Sequence, residues 1–199
     1  MSNKTFSKLH NYVDGLNHKP SMSVLLLGSV ISFLLMGFAN SILEASYSKS
    51  QFPVPFMIGQ TTFNGELLKS YFRVLLEKGT IGIFIQTQFI DFLFIFSVIL
   101  LGFFAWVFIA RLHGKGTFFR KAGLWFSFSL PLAGVSDAVE NIFSFFLLAA
   151  PLTFPNWLAI PYSTIAVIKF AFWTVGLIWL TVSILALILK FIIGLFKQE

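Results

Sequence analysis

Apolar residues run along this chain in four long blocks, and polar residues interrupt them at helical intervals. The first block is 21–43 (SMSVLLLGSVISFLLMGFANSIL), the second 87–112, the third 123–150 and the fourth 160–189. Each meets the requirement of about 20 residues for a helix crossing hydrocarbon roughly 30 Å thick. A β-barrel would instead show alternating polarity over segments of about ten residues, and these are absent. The pattern predicts an all-α, polytopic membrane protein: a bundle of four transmembrane helices forming a single membrane domain over residues 1–199.

The long connection after the first block has its own periodicity. Over 64–78 it places Leu67, Leu68, Tyr71, Phe72, Leu75 and Leu76 on one side. Lys69, Ser70, Arg73 and Glu77 take the other, with Arg73 and Glu77 spaced as an i,i+4 pair. Asn64 suits the start of this helix and Gly79 its end. Either it lies flat as an interfacial lid over the bundle, or it only packs on the loop ends. The preceding SQFPVPF is an extended, proline-broken approach.

Composition reinforces the membrane assignment. The chain is 57% hydrophobic and 11% charged, with 27 phenylalanines, against about 25% charged residues in soluble domains. The net charge of +6 reads as membrane topology; no basic stripe interleaved with aromatics points to nucleic acid. Cysteine is absent, which removes disulfides, thiol nucleophiles and thiolate metal sites. The first block exceeds a signal-peptide core of 7–15 residues and follows about twenty residues, so an uncleaved first helix is expected, although GFANSILEAS supplies small residues.

Lys and Arg set the expected orientation. Lys4, Lys8 and Lys19 precede the first span, Arg111, Lys115, Arg120 and Lys121 join the second to the third, and Lys190 and Lys197 follow the fourth. The third connection, PLTFPNWLAIP, is uncharged. In the first connection Lys49, Lys69, Arg73 and Lys78 are accompanied by Glu44, Glu66 and Glu77. Both termini are therefore expected in the cytoplasm. Trp125, Trp157 and Tyr162 suit interfacial belts.

Against that frame, charges inside the spans stand out. At about 1.5 Å per residue, Asp137 falls near the middle of the third span and Glu140 and Asn141 about one turn further out. Asp91 falls roughly 13 Å, and Lys169 roughly 8 Å, to the outer side of their span centres. Asn40 and Glu44 sit at the outer end of the first span. A charge at the bilayer centre costs at least about 2.5–3.5 kcal/mol, so these groups should face inward and meet in the outer half. Asp137, Glu140, Asn141 and Ser144 form one i, i+3, i+4, i+7 stripe continued by Ala133 and Gly134. Tyr162, Lys169, Trp173 and Gly176 form a second, and Thr87, Gln88 and Asp91, followed by Ile95, Val98 and Gly102, a third.

Three acids against one lysine call for a shared proton or a bound cation. Asp137 and Glu140 are the candidate catalytic acid/base pair. Asp91, Asn141, Lys169, Asn40, Trp173 and Tyr162 are candidate ligand-binding residues, with Asp91, Asp137 and Glu140 as oxygen ligands if a cation binds. His10, His18 and His113 all lie outside the spans, which argues against a histidine-ligated zinc. Trp173 is deep enough for a cation–π contact with Lys169. The alternative is interhelical glue, with Lys169 on Glu140 and Asp91 on Asn40 or Tyr162. Pro131 then marks only a kink. The functional options are a site for an amphipathic, lipid-like or cationic ligand among membrane lipids, a lipid-modifying acid/base enzyme, a cation or proton path, or an assembly protein. A path needs inner-half polar groups, and the sequence offers only Ser23, Ser29, Ser32, Ser127, Ser129, Thr181 and Ser183.

The order YFRVLLEKGTIGIF, QFIDFLFIFSVILLGFFAW, LPLAGVSDAVENIF resembles a family of small bacterial four-helix integral membrane proteins. The matching residues are Gly79, Asp91, Phe94, Pro131, Gly134, Asp137, Glu140 and Asn141, over about half the chain, and D-x-x-E-N in the third span is the most specific part. The resemblance implies a bacterial inner membrane and no particular activity. In architecture the chain is also similar to emopamil-binding-type sterol isomerases, whose buried acids would imply proton transfer to a lipid double bond; no motif carries over residue by residue.

Overall fold

The computed structural model describes residues 3–196. Lys197 and the side chain of Lys4, counted above for orientation, lie outside what is described. Helix makes up 84% of the structure and no strand occurs among the described residues. The helices are α1 (Asn3–Gly15), α2 (Met22–Ser50), α3 (Phe56–Gln60), α4 (Gly65–Glu77), α5 (Ile81–Leu112), α6 (Phe118–Phe126), α7 (Ser129–Ala149) and α8 (Ala159–Phe196). Four stretches are long and apolar enough to cross a membrane: Met22–Ser50, Ile81–Leu112, Phe118–Ala149 and Asn156–Phe196.

The chain runs up α2, down α5, up α6–α7 and down α8. One end of the bundle thus carries the termini, α1 and α6, and the other carries α3, α4 and the turn Asn156–Leu158. α7 is the centre, packed between α5 and α8, while α2 packs along α5 and has no comparable interface with α8. Small residues allow the close approaches. A Cβ on Gly28 would lie 2.6 Å from the Phe104 ring, and one on Gly134 would lie 2.6 Å from Ile99.

Element bounds depart from the sequence reading for local reasons. α2 continues past residue 43 because Ser46 bonds Thr87 at 2.7 Å and Tyr47 stacks on Phe56. α5 begins six residues before the predicted span, where Gly79, at φ +69°, ends the preceding helix and Phe84 is buried. The third span is not one helix. α6 ends at Phe126 and α7 starts at Ser129, so Pro131 sits in the first turn of α7, where its missing N–H costs no helical bond. The proline marks a helix start and not a mid-span kink. α8 has 38 residues, about 57 Å at 1.5 Å each, and overhangs the bundle at the terminus end.

α4 forms as its periodicity predicts. Asn64 Oδ1 accepts from the N–H groups of Glu66 and Leu67. Leu68, Phe72 and Leu75 are buried against Phe84, Leu147 and Phe154, whereas Leu67 and Leu76 are exposed. Burial of each of these three contributes about 1.5–3 kcal/mol. The predicted Arg73–Glu77 pair does not form among the described residues. Lys69 instead pairs with Glu66 at 3.0 Å, and Asn156 donates to the same carboxylate at 2.8 Å. Those two partners hold the Glu66 carboxyl below its usual range, Asn156 most strongly.

At the terminus end, Val13 and Leu16 pack with Leu25, Val107, Ala110 and Leu124. α1 is thus a packed helix, where the sequence pattern shows only scattered charge.

Candidate functional site

The three polar stripes face one another. Asp137, Glu140, Asn141 and Ser144 on α7, Thr87, Gln88 and Asp91 on α5, and Tyr162 and Lys169 on α8 are all buried. Lys169 Nζ is the hub. It donates to Asp137 Oδ1 at 2.9 Å, to Glu140 Oε2 and to Gln60 Oε1 at 3.0 Å. An ammonium has three donors, so all of them are engaged.

Asp91 is placed differently. Its Oδ2 accepts from Asn141 Nδ2 at 2.7 Å, which replaces the expected pairing with Asn40 or Tyr162. It lies close enough to Asp137, Lys169 and Glu140 to interact electrostatically with each, without sharing the lysine. Tyr162 packs against Glu140 and interacts with its carboxylate. Among the described residues, Glu140 Oε1 and Asn141 Oδ1 are buried acceptors without a hydrogen bond of standard geometry. Because Asp137 and Glu140 turn to Lys169 while Asp91 turns to Asn141, the three acids do not form a metal-ligand set. Among the described residues no group of three or more His, Cys, Asp or Glu side chains is arranged to hold a metal ion.

In front of this cluster lies a cavity of about 340 Å³. Asp91, Asp137 and Lys169 form its polar floor, and Asn40 and Glu44 of α2 its near wall. Phe56, Phe94, Phe170 and Trp173 add aromatic lining. Asn40 and Trp173 therefore line the space without bonding to the cluster. The cation–π partner of Lys169 is Phe170, 4.9 Å from Nζ to ring centre, and not Trp173. Trp173 packs instead with the Val98, Trp106 and Leu130 group.

The cover of the cavity is α3, not α4: Phe56, Met57 and Gln60 line it, and no α4 residue does. Gln51 (φ 55°) and Phe63 (φ 52°) bracket the α3 strap in left-handed conformations, and Ser163 Oγ accepts from the Phe63 N–H at 3.0 Å. Gln60 was not among the residues expected at the site. A single glutamine in a five-residue helix has no periodic signature, and only the proline-broken approach before it hints that the loop folds back.

The hydroxyls weighed above for a polar path are used locally. Ser29 and Ser32 donate to carbonyls one turn back, as do Ser127, Ser129 and Thr181. Ser183 bonds His113 at 2.8 Å. No protein-family model matches the chain, and neither a curated protein nor a solved structure matches it.

Proposed function

We propose that the protein binds an amphipathic cation, a lipid-like molecule with an ammonium head, in the cavity bounded by α2, α3, α5, α7 and α8. The observation that carries this reading is the lining: Asp91, Asp137 and Glu44 supply three carboxylates beside the Lys169 ammonium, and Phe56, Phe94, Phe170 and Trp173 line the same space. Carboxylates attract an ammonium and aromatic faces hold it by cation–π contact. α2 has no substantial interface with α8, and in this reading the alkyl chain passes between them into the membrane while the head sits at Asp91. The Lys and Arg of the terminus end, Lys19, Arg111, Lys115, Lys121 and Lys190 among them, support placing both termini in the cytoplasm. The cavity then opens in the outer half of a bacterial inner membrane, the setting implied by the resemblance.

The test uses the purified full chain in dodecyl maltoside. Dodecyltrimethylammonium should bind and shift the tryptophan emission, while tetramethylammonium and an uncharged C12 detergent should not. Asp91→Asn should weaken binding by about tenfold, the effect of losing roughly 1.4 kcal/mol of charge attraction. Equal binding of the charged and uncharged chains would rule the reading out. A second reading, acid/base chemistry on a lipid, has one specific observation in its favour: Asp91 faces the cavity and is the one acid of the three without a cation partner. Lipid profiles left unchanged by deleting the gene would remove it.

A further inference from the structure

A second pocket lies at the opposite end of the bundle, and its chemistry is reversed. Arg120, in the first turn of α6, is 7% exposed. Among the described residues its guanidinium reaches only neutral oxygens. Nε donates to Asn17 Oδ1 at 2.8 Å and Nη2 to the Asn17 carbonyl at 2.9 Å, while Nη1 sits 3.4 Å from the carbonyls of Arg111 and His113. These bonds clamp the α1–α2 turn to the α5–α6 turn. They do not neutralise the charge, and Arg111 repels it from nearby. A buried cation without an acid partner is expensive unless an anion reaches it.

A cavity of about 290 Å³ opens beside this group. Lys121 lines it and forms no ion pair among the described residues. The one acid in its wall among the described residues, Asp14, is turned to His10, 3.5 Å away. The other side is apolar, formed by Val13, Leu124 and Trp125. One remaining guanidinium N–H, a free ammonium and an apolar shelf, at the end of a bundle able to cross a membrane, match one chemistry: a negatively charged phosphate joined to a hydrocarbon chain.

We propose that this pocket binds the phosphodiester of an anionic glycerophospholipid, with Arg120 and Lys121 on the phosphate and Val13, Leu124 and Trp125 against the glycerol and first methylenes. The site is independent of the ammonium cavity and would stand if that reading fell.

The experiment is native mass spectrometry and thermal unfolding of the full chain in dodecyl maltoside. The probes are phosphatidylglycerol, phosphatidylcholine and inorganic phosphate. Phosphatidylglycerol should be retained over phosphatidylcholine by about thirtyfold, the combined effect of two basic groups at a membrane surface, and inorganic phosphate should not stabilise. Lys121→Glu should bring the two lipids to near parity with helix content unchanged. Lys78→Glu, the same charge change on an exposed residue at the far end, should leave the preference intact. Equal retention of the two lipids, or a preference that survives Lys121→Glu, would overturn the proposal. Stabilisation by inorganic phosphate equal to that by phosphatidylglycerol would overturn its lipid source.

Discussion

Removing the amine of Lys169 is the sharpest test of the buried cluster. Lys169→Met keeps the length of the side chain and deletes the one cation shared by Asp137, Glu140 and Gln60. The two carboxylates then face each other in a region where Glu140 is 0% exposed. Breaking a buried pair by removing one partner costs about 3–5 kcal/mol, because the remaining charge is left uncompensated. For a chain of this size about 1 kcal/mol moves the midpoint by about 2–4 °C, so a fall of about 6–20 °C is expected. Five tryptophans supply the signal for thermal unfolding in detergent. Lys69→Met is the control: its partner Glu66 is exposed, and an ion pair open to water contributes little. The triple variant Lys169→Met, Asp137→Leu, Glu140→Leu should recover most of the loss, since apolar replacements of similar volume often match a buried ion pair. A fall under about 3 °C, no larger than that of Lys69→Met, would refute the view that these groups hold each other's charge.

Three further outcomes are expected. Gly102→Ala should destabilise by about 1–3 kcal/mol, because its Cβ would strike Leu130 and lie 2.7 Å from Pro131 Cδ, whereas Gly37→Ala, with nothing within 4 Å, should be neutral or slightly stabilising in the same assay. Gln51→Gly should raise the midpoint by about 2–8 °C, since Gln51 caps α2 at φ 55° and a left-handed residue with a Cβ costs about 1–2 kcal/mol. His113, buried and near Lys190, titrates below its ordinary 6.5. The unfolded chain therefore takes up this proton before the folded one does. Stability should be full above pH 6.5 and fall as the pH drops through that value towards the lowered one, and His113→Gln should flatten the profile measured by urea unfolding from pH 8 to 5.

The candidate site was largely legible because charges in hydrocarbon are costly and helical spacing is strict. Asp137, Glu140, Asn141 and Ser144 had to share a face, and Lys169 was the only cation at that depth. Partner choice was less legible. Asp91 took Asn141 and not Asn40 because α2 stands back from α7, a matter of helix placement that periodicity does not encode. The aromatic partner of Lys169 was misplaced by three residues, from Phe170 to Trp173, for a similar reason: both lie near the same face, and ring orientation decides. Gln60 was invisible because its helix is five residues long. The break in the third span was written in FSFSLPL, but a proline reads as a kink until the chain direction before it is known. Arg120 looked like one more topology charge, since nothing in RLHGKGTFFRK says which cation is buried.

The division of charge between α7 and α8 constrains how the chain leaves the ribosome. α7 belongs to the least apolar span, with a mean hydropathy of 1.4 against 2.8 for the α5 span and 2.4 for the α8 span. Charged residues each add about 2.5–3.5 kcal/mol on the scale for handing a helix from the translocon to lipid, and each Leu or Phe returns only about 0.3–0.6. The cation that compensates Asp137 and Glu140 lies 32 and 29 residues further along the chain. On that scale α7 is expected to leave the translocon together with α8, as one hairpin. A nascent chain stopped between Ala150 and Lys169 would leave α7 held at the translocon, a clear target for membrane quality control.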